Sequence, residues 1–233
     1  MTAHTYSSAL IVGAGAGLSA SLARLMAHEG LQVSLAARDP KKLGDLCEET
    51  GAVAYGCDSS RRDDVEGLFT ALDADERAPD VVIYNPSYRT RGPLVELDPD
   101  EVERSLAITA FGAFLVAQQA ARRMLAAGYG AILLTGASAG VKGYPQSAPF
   151  AMGKFALRGL AQSIARELQS KNIHVAHFVI DGGILNPGRS EPADKPDSML
   201  RPDAIARSYL DVLRQDRSAW SWELELRPWV ESF

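Results

Sequence analysis

Short apolar runs alternate with longer amphipathic stretches along almost the whole chain. In the longer stretches, apolar residues recur at intervals of three and four, the spacing of one face of an α-helix. The apolar runs predict strands at residues 9–13, 31–36, 52–56, 81–84, 131–134, 173–180 and 222–226. The amphipathic stretches predict helices at residues 16–28, 40–49, 63–72, 99–127, 149–169 and 202–214, of which 99–127 is either one long helix or two abutting helices.

This order of elements predicts an α/β fold. Strands that alternate with helices form crossover units and therefore a mostly parallel sheet, and right-handed crossovers place helices on both of its faces. No linker, low-complexity tract or short-period repeat divides the sequence, so we expect a single domain over residues 1–233 with a doubly wound, seven-stranded sheet. One irregular stretch, residues 186–201, is rich in Pro, Gly, Ser and charge, and it is either a substrate lid or a disordered excursion.

Composition and charge narrow the possible partners. The formal net charge is −5, no basic block is present to neutralise nucleic-acid phosphates, and no apolar run is long enough to span a bilayer. Residues 1–8 lack a secretory signal pattern, and the two cysteines, Cys47 and Cys57, suggest a reducing compartment. His174 and His177 are three residues apart in a predicted strand, which puts them on opposite faces. We therefore expect a cytoplasmic protein without a metal site, a nucleic-acid partner or a membrane partner.

A glycine-rich turn stands between the first predicted strand and the first predicted helix. It reads Gly13-Ala14-Gly15-Ala16-Gly17-Leu18. Glycines allow a sharp turn that brings backbone N–H groups close to a pyrophosphate, and the helix N-terminus adds a favourable dipole. We therefore expect a dinucleotide to contact this turn, the alternative being a tight turn without a ligand. The predicted contacts are Gly13, Gly15, Ala16, Gly17 and Leu18.

The spacing of these residues resembles that of a known family. Gly13 and Gly17, followed by Ser19 in place of a third glycine, fit the pattern Gly-x-x-x-Gly-x-Gly of the short-chain dehydrogenase/reductase family. The resemblance extends over nearly the whole chain. It implies a Rossmann-type fold, an NAD(H) or NADP(H) cofactor, and hydride transfer between that cofactor and a carbonyl or alcohol substrate. Ser19 is small enough to allow close helix packing at the last position.

The end of the second predicted strand bears on the choice of cofactor. Ala37 stands where an acidic residue would hold the ribose 2′-hydroxyl of NAD, and Arg38 follows it. Because an arginine can pair with a 2′-phosphate, the sequence favours NADP(H) over NAD(H). The alternative is that Arg38 is a solvated residue at the start of the second helix.

Other cofactor contacts are implied by the family resemblance alone. Asp58 and Ser59 stand where the family binds the adenine ring, and Asn85 stands in the turn beside the adenine ribose. After the sixth predicted strand, Gly183 and the backbone of Ile184 resemble the turn that touches the nicotinamide amide. These positions extend the predicted cofactor site across the carboxyl edge of the sheet.

The active site implied by the resemblance is incomplete. The family uses a serine, a tyrosine and a lysine, usually with an asparagine, and the corresponding positions here are Ala137, Phe150, Lys154 and Thr109. A phenyl ring carries no transferable proton, so the usual general acid is missing. Lys154 is present, and in the family this lysine also binds the nicotinamide ribose. The alternative is that Lys154 is a surface lysine on the helix.

Two interpretations of this site follow. In the first, the protein is an NADP-dependent oxidoreductase for a small, partly apolar carbonyl or alcohol substrate. Ser138 would then orient the substrate oxygen, Tyr144 or water would supply the proton, and Lys154 would hold the ribose. In the second, the protein binds NADP(H) but is catalytically silent and acts as a regulatory or scaffold protein. Family resemblance favours the enzyme.

The resemblance also implies self-association. Family members usually pair through their two longest helices, here residues 99–127 and 149–169, so we expect a homodimer or homotetramer. Phe111, Phe114 and Leu157 on these helices are either interface or core residues. The aromatic tail after residue 219 either packs on a neighbouring subunit or covers an edge of its own sheet.

Overall fold

The computed structural model describes residues 5–231, and its centre is one seven-stranded sheet. Its strands are β1 (Ser8–Val12), β2 (Gln32–Ala37), β3 (Val53–Gly56), β4 (Val81–Tyr84), β5 (Gly130–Thr135), β6 (Ile173–Ile180) and β9 (Glu223–Leu226). The short strands β7 (Gly183–Ile184) and β8 (Met199–Leu200) form a separate two-stranded sheet. The sheet order is β3-β2-β1-β4-β5-β6-β9, and every neighbouring pair is parallel. The predicted α/β fold is therefore confirmed, with a sheet that is entirely and not only mostly parallel.

Helices cover both faces of this sheet. They are α1 (Leu18–His28), α2 (Gly44–Thr50), α3 (Arg62–Ala74), α4 (Pro99–Leu106), α5 (Gly112–Ala127), α6 (Ala148–Leu168) and α7 (Pro202–Leu213). Buried side chains of α1, α2 and α7 pack on one face, and those of α3, α5 and α6 pack on the other. Each central strand is buried on both faces, which explains why the strands read as continuous apolar runs.

Three predicted helix boundaries differ from the observed ones for local reasons. The helix predicted at 16–28 begins at Leu18, because the residues before it form the glycine turn. The helix predicted at 40–49 begins with a 3₁₀ turn, Pro40–Leu43, before α2. The pattern at 99–127 consists of α4 and α5 joined by a single π-helical turn, Ala107–Phe111. Such turns widen a helix locally and occur often at functional sites.

The irregular stretch at residues 186–201 has hydrogen bonds at both ends. Near its start, Asn186 and Arg189 form an isolated antiparallel bridge. At its end, β8 pairs in parallel with β7, and the side chains of Met199 and Leu200 are buried. The stretch is thus a loop tied to the body of the protein, and its role as a substrate lid remains a prediction.

The strand order creates a crevice at one edge of the sheet. The chain moves outward from β1 to β2 and β3, and then returns past β1 to form β4 on its other side. At such a switch point, the loops that leave the carboxyl ends of the two central strands diverge and open a binding crevice. The loops after β1, β4, β5 and β6 all lie at this edge, which is where the candidate residues fall.

The two strand histidines have separate structural partners. His174 stacks on Trp220 with ring centroids 4.4 Å apart, and its Nε2 lies 2.9 Å from the carbonyl oxygen of Ser221. His177, on the opposite face, places Nδ1 3.0 Å from a carboxylate oxygen of Glu223. Within residues 5–231, no group of three or more His, Cys, Asp and Glu side chains could hold a metal ion. No helix in the same range is long and apolar enough to cross a membrane.

The aromatic tail lies mainly against its own subunit. Trp220 stacks on His174, and Trp222 packs against the apolar layer formed with α3, α5 and α6. Trp229 is exposed, and Phe233 lies outside the described residues. The first part of the tail therefore covers the β6–β9 edge of the sheet.

The exposure of each side chain distinguishes interface candidates from core residues around α5 and α6. Phe111 and Phe114 are exposed, whereas Leu157 is 0% exposed and belongs to the core, so an interface role for Leu157 is wrong. Leu157 faces the sheet because it lies on the inner side of α6 together with Ala161 and Ala165.

Truncation of Leu157 should destabilise the fold. We expect Leu157→Ala to lower the free energy of unfolding by about 2–5 kcal/mol, the range for a fully buried leucine that leaves a cavity. The matched control is Leu94→Ala, the same substitution at a residue that is 78% exposed. It should change the free energy of unfolding by less than about 0.5 kcal/mol. Urea denaturation followed by circular dichroism measures both. Equal effects of the two substitutions would contradict the core assignment.

Candidate functional site

The glycine turn after β1 is held against the loop after β4. Gly13 has a φ of +80°, and a Cβ at this position would lie 2.7 Å from the backbone nitrogen of Pro86. Both the left-handed backbone and the lack of space require glycine here. The turn is also tied to β2, because the amides of Gly13 and Ala14 both donate to the carbonyl oxygen of Ala36.

Ser19 has a polar role that the sequence did not reveal. Its hydroxyl donates to the carbonyl oxygen of Gly13 over 2.9 Å, and the side-chain amide of Asn85 donates to the same hydroxyl over 2.8 Å. Ser19 is also buried, as the close packing of α1 requires. Asn85 therefore fixes the glycine turn through Ser19. The only available sequence signal was a hydroxyl at a position where glycine is usual.

The start of α1 fits an anionic group. The amides of residues 15–19 have no hydrogen-bond acceptor within residues 5–231, and they stand at the positive end of the helix dipole. The side chain of Leu18 is buried in the core, so Leu18 can contribute only its backbone. Free amide donors beside a glycine that leaves no room for a side chain are the features that a pyrophosphate requires.

A cavity of about 860 Å³ adjoins this turn. It contains the residues predicted to hold the adenosine half of the cofactor, together with Pro187 from the irregular loop. The predicted residues that line it are Gly13, Gly15, Ala16, Arg38, Asp58, Ser59 and Asn85. The fold thus brings together residues that are distant in sequence, in a space of the size that small-molecule sites usually have.

Arg38 lines this cavity and acts on Asp58 only through its charge, which helps to lower the pKa of that carboxyl group. Arg24 pairs with Glu49 at 2.7 Å, and Lys42 lies 3.5 Å from Asp39. The Arg38 side chain is exposed and forms no hydrogen bond or ion pair with any residue from 5 to 231. Its guanidinium is therefore available to a ligand at the end of β2.

Asp58 and Ser59, the predicted adenine contacts, differ in which of their groups can reach a ligand. One carboxylate oxygen of Asp58 accepts hydrogen bonds from the amide and the hydroxyl of Ser60. The Ser59 hydroxyl lies 3.1 Å from the hydroxyl of Tyr84 in the protein interior, and Tyr84 also donates to the carbonyl oxygen of Ile108. The side chain of Ser59 is thus occupied by the core. Only its backbone remains for the predicted adenine contact.

Lys154 lies at the buried end of the site. Its residue is 3% exposed, and Nζ donates to the carbonyl oxygen of Thr135 over 2.7 Å. Nζ also lies 5.8 Å from the centre of the Phe150 ring, one helical turn away on α6. Burial, and secondly the positive charge of Arg89, lower the pKa of Lys154 to about 7. The alternative of a surface lysine is therefore wrong.

The structure gathers the other candidate catalytic positions around Lys154. Ser138 begins a 3₁₀ turn after β5, and its hydroxyl has no hydrogen-bond partner in the described part of the chain. A Cβ at Gly140, at the end of that turn, would lie 3.0 Å from the carbonyl oxygen of Lys154. Thr109, in the π-helical turn, is fully buried and packs against Gly153. Ser138 is thus free to bind a ligand, whereas Thr109 is a packing residue.

Tyr144, the predicted replacement acid, is an exposed residue beside Lys142. It is 43% exposed, and Lys142 Nζ lies 5.7 Å from the centre of its ring. A hydrogen bond to Tyr144, and secondly the charge of Asp181, raise the pKa of Lys142, which also donates to Asp181 over 3.4 Å. Tyr144 therefore has an ammonium beside it, but its polar partner is Lys142 and not Lys154.

Two arginines near Phe150 and Gly183 were not predicted from the sequence. The guanidinium carbon of Arg89 lies 4.1 Å from the centre of the Phe150 ring, a cation–π contact. Arg189 comes from the irregular loop, and a Cβ at Gly183 would lie 2.9 Å from its terminal nitrogen. Gly183 and Ile184, the predicted nicotinamide contacts, form β7 and are half-buried. Nothing in the spacing of these loop residues indicated where their side chains would point.

Comparisons with known proteins identify the family of this chain. Residues 7–191 match the family described as short chain dehydrogenase. A 3-dehydrosphinganine reductase of Arabidopsis thaliana is 31% identical over 206 residues, which cover 85% of this chain and 60% of that protein. The 3-oxoacyl-[acyl-carrier-protein] reductase MabA of Mycobacterium tuberculosis is 29% identical over 180 residues, covering 76% of this chain and 69% of that protein.

Solved structures show the same relationship. A short-chain dehydrogenase from Rhodopseudomonas palustris superposes with a TM-score of 0.84 and 34% identity, covering 96% of this chain and 99% of that one. A metagenomic short-chain oxidoreductase in complex with NADP superposes with a TM-score of 0.83 and 26% identity, covering 95% of this chain and 97% of that one. This chain therefore belongs to the short-chain dehydrogenase family of oxidoreductases.

Proposed function

We propose that the protein is an NADP(H)-dependent oxidoreductase that interconverts a small carbonyl compound and its alcohol, with Lys154 in place of a tyrosine as proton donor. The observation that carries this proposal is the burial of Lys154 beside Phe150, at the same sheet edge as the free amides of the glycine turn. A buried ammonium has a large desolvation cost, so its presence there indicates a functional role.

The choice of NADP(H) rests on Arg38. Its guanidinium forms no ion pair and lines the cavity at the end of β2, and residue 37 beside it is alanine and not an acidic residue. A guanidinium binds a phosphate through charge-assisted hydrogen bonds, which a ribose 2′-hydroxyl cannot match. The structural relative that holds NADP supports this choice.

The proton assignment follows from which groups surround Phe150. Bound NADPH supplies a hydride to the carbonyl carbon, and the carbonyl oxygen must then receive a proton. Lys154 is the buried donor next to Phe150, and at a pKa of about 7 it can release a proton near neutral pH. Arg89 is the other cation near Phe150, but a guanidinium does not give up its proton. We assign Ser138 to orient the substrate oxygen, and one water to carry the proton from Lys154.

The surroundings of Lys154 keep its charge adjustable. Its Nζ has one hydrogen bond, to the carbonyl oxygen of Thr135, which leaves two N–H groups for a ribose hydroxyl and a water. Arg89 is charged and disfavours the ammonium form. His177 also lies near, but burial lowers its pKa to about 4, so it is neutral at pH 7.

We also propose that the protein forms a homodimer or homotetramer through α5 and α6. Phe111 and Phe114 are exposed with ring centroids 6.2 Å apart, and Met152 and Phe155 are exposed on α6. Large apolar side chains that cluster on a surface mark an interaction site, and a two-fold axis would bury them against their copies.

Removal of Arg38 should weaken NADPH and leave NADH unchanged. We expect Arg38→Ala to raise the dissociation constant of NADPH about 10- to 100-fold, because it removes charge-assisted hydrogen bonds to the 2′-phosphate. The dissociation constant of NADH should change less than about twofold. Nucleotide fluorescence titration measures both, with Arg62→Ala, an exposed arginine outside the cavity, as the control. A substitution that weakens NADH as much as NADPH would overturn the assignment.

The pH dependence of carbonyl reduction should report Lys154. Because the reduction consumes the ammonium form, kcat/KM should be constant below pH 7 and fall about tenfold per pH unit above the pKa of about 7. Lys154→Met should lower kcat by about 10²- to 10⁴-fold and remove this inflection. Tyr144→Phe should change neither. If Tyr144→Phe abolishes turnover, Tyr144 is the donor, and if NADPH binds without any turnover the catalytic proposal is wrong.

Charge placed on the exposed aromatic face should dissociate the oligomer. We expect Phe114→Glu combined with Phe155→Glu to shift the wild-type dimer or tetramer to a monomer, because each carboxylate would otherwise be buried at the interface. Size-exclusion chromatography with light scattering measures the mass. The control is Val95→Glu, at an exposed apolar side chain in the loop before α4. A wild-type monomer would refute the proposal.

A further inference from the structure

Three arginines meet above the buried end of the site. Arg89 and Arg91 lie in the loop after β4, and Arg189 lies in the irregular loop after β7. Burial, and secondly the positive charges of Arg91 and Arg189, lower the pKa of the Arg89 guanidinium, so the three charges act on one another. All three residues are solvent-accessible and can therefore reach a ligand.

Two contacts place this arginine cluster, residues 89, 91 and 189, at the reaction centre. Arg89 stacks on Phe150, with 4.1 Å between its guanidinium carbon and the ring centre. Phe150 in turn is the neighbour of Lys154. Arg189 lies against Gly183, where the cofactor's nicotinamide is expected, and its terminal nitrogen is 2.9 Å from the position that a Cβ would take there. The cluster therefore flanks the position of the reacting carbon.

The cluster has no counter-charge within residues 5–231. None of its side chains forms a hydrogen bond or an ion pair with a described residue. The nearby acids are already engaged: Asp181 lies 3.4 Å from Lys142 and 3.3 Å from Arg227, and Glu191 accepts from the amides of Asp197 and Met199. The charges of Arg91 and Arg189 act against that of Arg89 in a chain whose net charge is −5, so an external anion would stabilise the cluster.

Hydrogen bonds hold both loops in place. The amide of Gly92, next to Arg91, donates to the carbonyl oxygen of Gln146 over 3.1 Å, which ties the first loop to the segment before α6. The amide of Arg189 donates to the carbonyl oxygen of Asn186 over 2.9 Å, and the amide of Gly188 donates to the Asn186 side chain over 2.9 Å. The positions of the cations are thus set by the fold and not only by their side-chain rotamers.

We propose that the substrate carries an anionic group, a carboxylate or a phosphate, which Arg89, Arg91 and Arg189 bind while the adjacent carbonyl faces Lys154. This inference rests on the proposed oxidoreductase function. Guanidinium groups bind both anions through paired N–H donors, and stacking on Phe150 keeps the Arg89 fork directed at one position. A phenyl ring serves as this platform without placing a competing hydroxyl between the arginine and the anion.

The first experiment measures anion binding directly by calorimetry, with and without saturating NADPH. The probes are inorganic phosphate and acetoacetate, with methyl acetoacetate as the neutral counterpart of the second. We expect wild-type protein to bind at least one anion, and Arg89→Ala or Arg189→Ala to weaken it about 10- to 100-fold. Arg122→Ala, at an exposed arginine on α5, should change nothing. Tighter binding of acetoacetate identifies a carboxylate substrate, and tighter binding of phosphate identifies a phosphate ester.

The second experiment uses turnover with NADPH of two matched pairs, acetoacetate with its methyl ester and dihydroxyacetone phosphate with dihydroxyacetone. In the wild type, the anionic member of one pair should have a KM at least about tenfold lower. Arg89→Ala should raise that KM about 10- to 100-fold, a clearly larger factor than for the neutral member of the pair.

Failure of this inference is distinguishable from failure of the proposed function. Absence of turnover with intact anion binding would contradict the oxidoreductase proposal and retain the anion site. Turnover of neutral and anionic members with equal KM, and with a KM ratio that Arg89→Ala does not change, would overturn the anion site and retain the enzyme. If Arg89→Ala and Arg189→Ala weaken NADPH and leave anion binding unchanged, the arginines serve the cofactor and the inference is wrong.

Discussion

The parallel pairing of β1 with β4 brings together the two loops at the centre of the crevice. Because these two strands point in the same direction, their following loops start side by side, and Gly13 of the first loop touches Pro86 of the second. Asn85 and Ser19 add a hydrogen-bond chain between the same two loops. The free amides of the glycine turn and the loop with Arg89 are both positioned by this one junction.

Positive charge is concentrated at the opposite end of the site, where the fold gives it little compensation. Lys154 has a backbone carbonyl as its hydrogen-bond partner, and both Lys154 and Arg89 lie near the ring of Phe150. Desolvation and like charge both act against the ammonium, which is why the pKa of Lys154 falls so far below its ordinary value. The arrangement is unfavourable in the empty protein and becomes favourable when an anion or a developing negative charge on oxygen is present.

Much of the fold could be predicted from the sequence because buried parallel strands and amphipathic helices leave strong periodic patterns. Both ends of the strand Ile173–Ile180 were predicted correctly, and the predicted start of α1 after the glycine turn differs from the observed start by two residues. The π-helical turn, Ala107–Phe111, could not be predicted, because its apolar residues fit an ordinary helix equally well. It depends on how α4 and α6 pack together around Thr109.

The candidate site was predicted less completely than the fold, for a physical reason. Backbone positions at strand ends follow from the strand pattern, so Gly13 and Arg38 were identifiable, and Lys154 was identifiable from the family resemblance of the segment that begins α6. Side-chain direction in long loops depends on tertiary contacts, so neither the stacking of Arg89 on Phe150 nor the pairing of Tyr144 with Lys142 was visible.

The contact between Gly13 and Pro86 has a mechanical consequence. Pro86 contacts the glycine turn, and Arg89, three residues later, stacks on the ring of Phe150. One short segment thus bridges both halves of the crevice, and its far end is anchored by the bond from Gly92 to Gln146. Because only residues 87 and 88 separate these two contacts, a displacement of Pro86 by a ligand in the glycine turn would also shift Arg89.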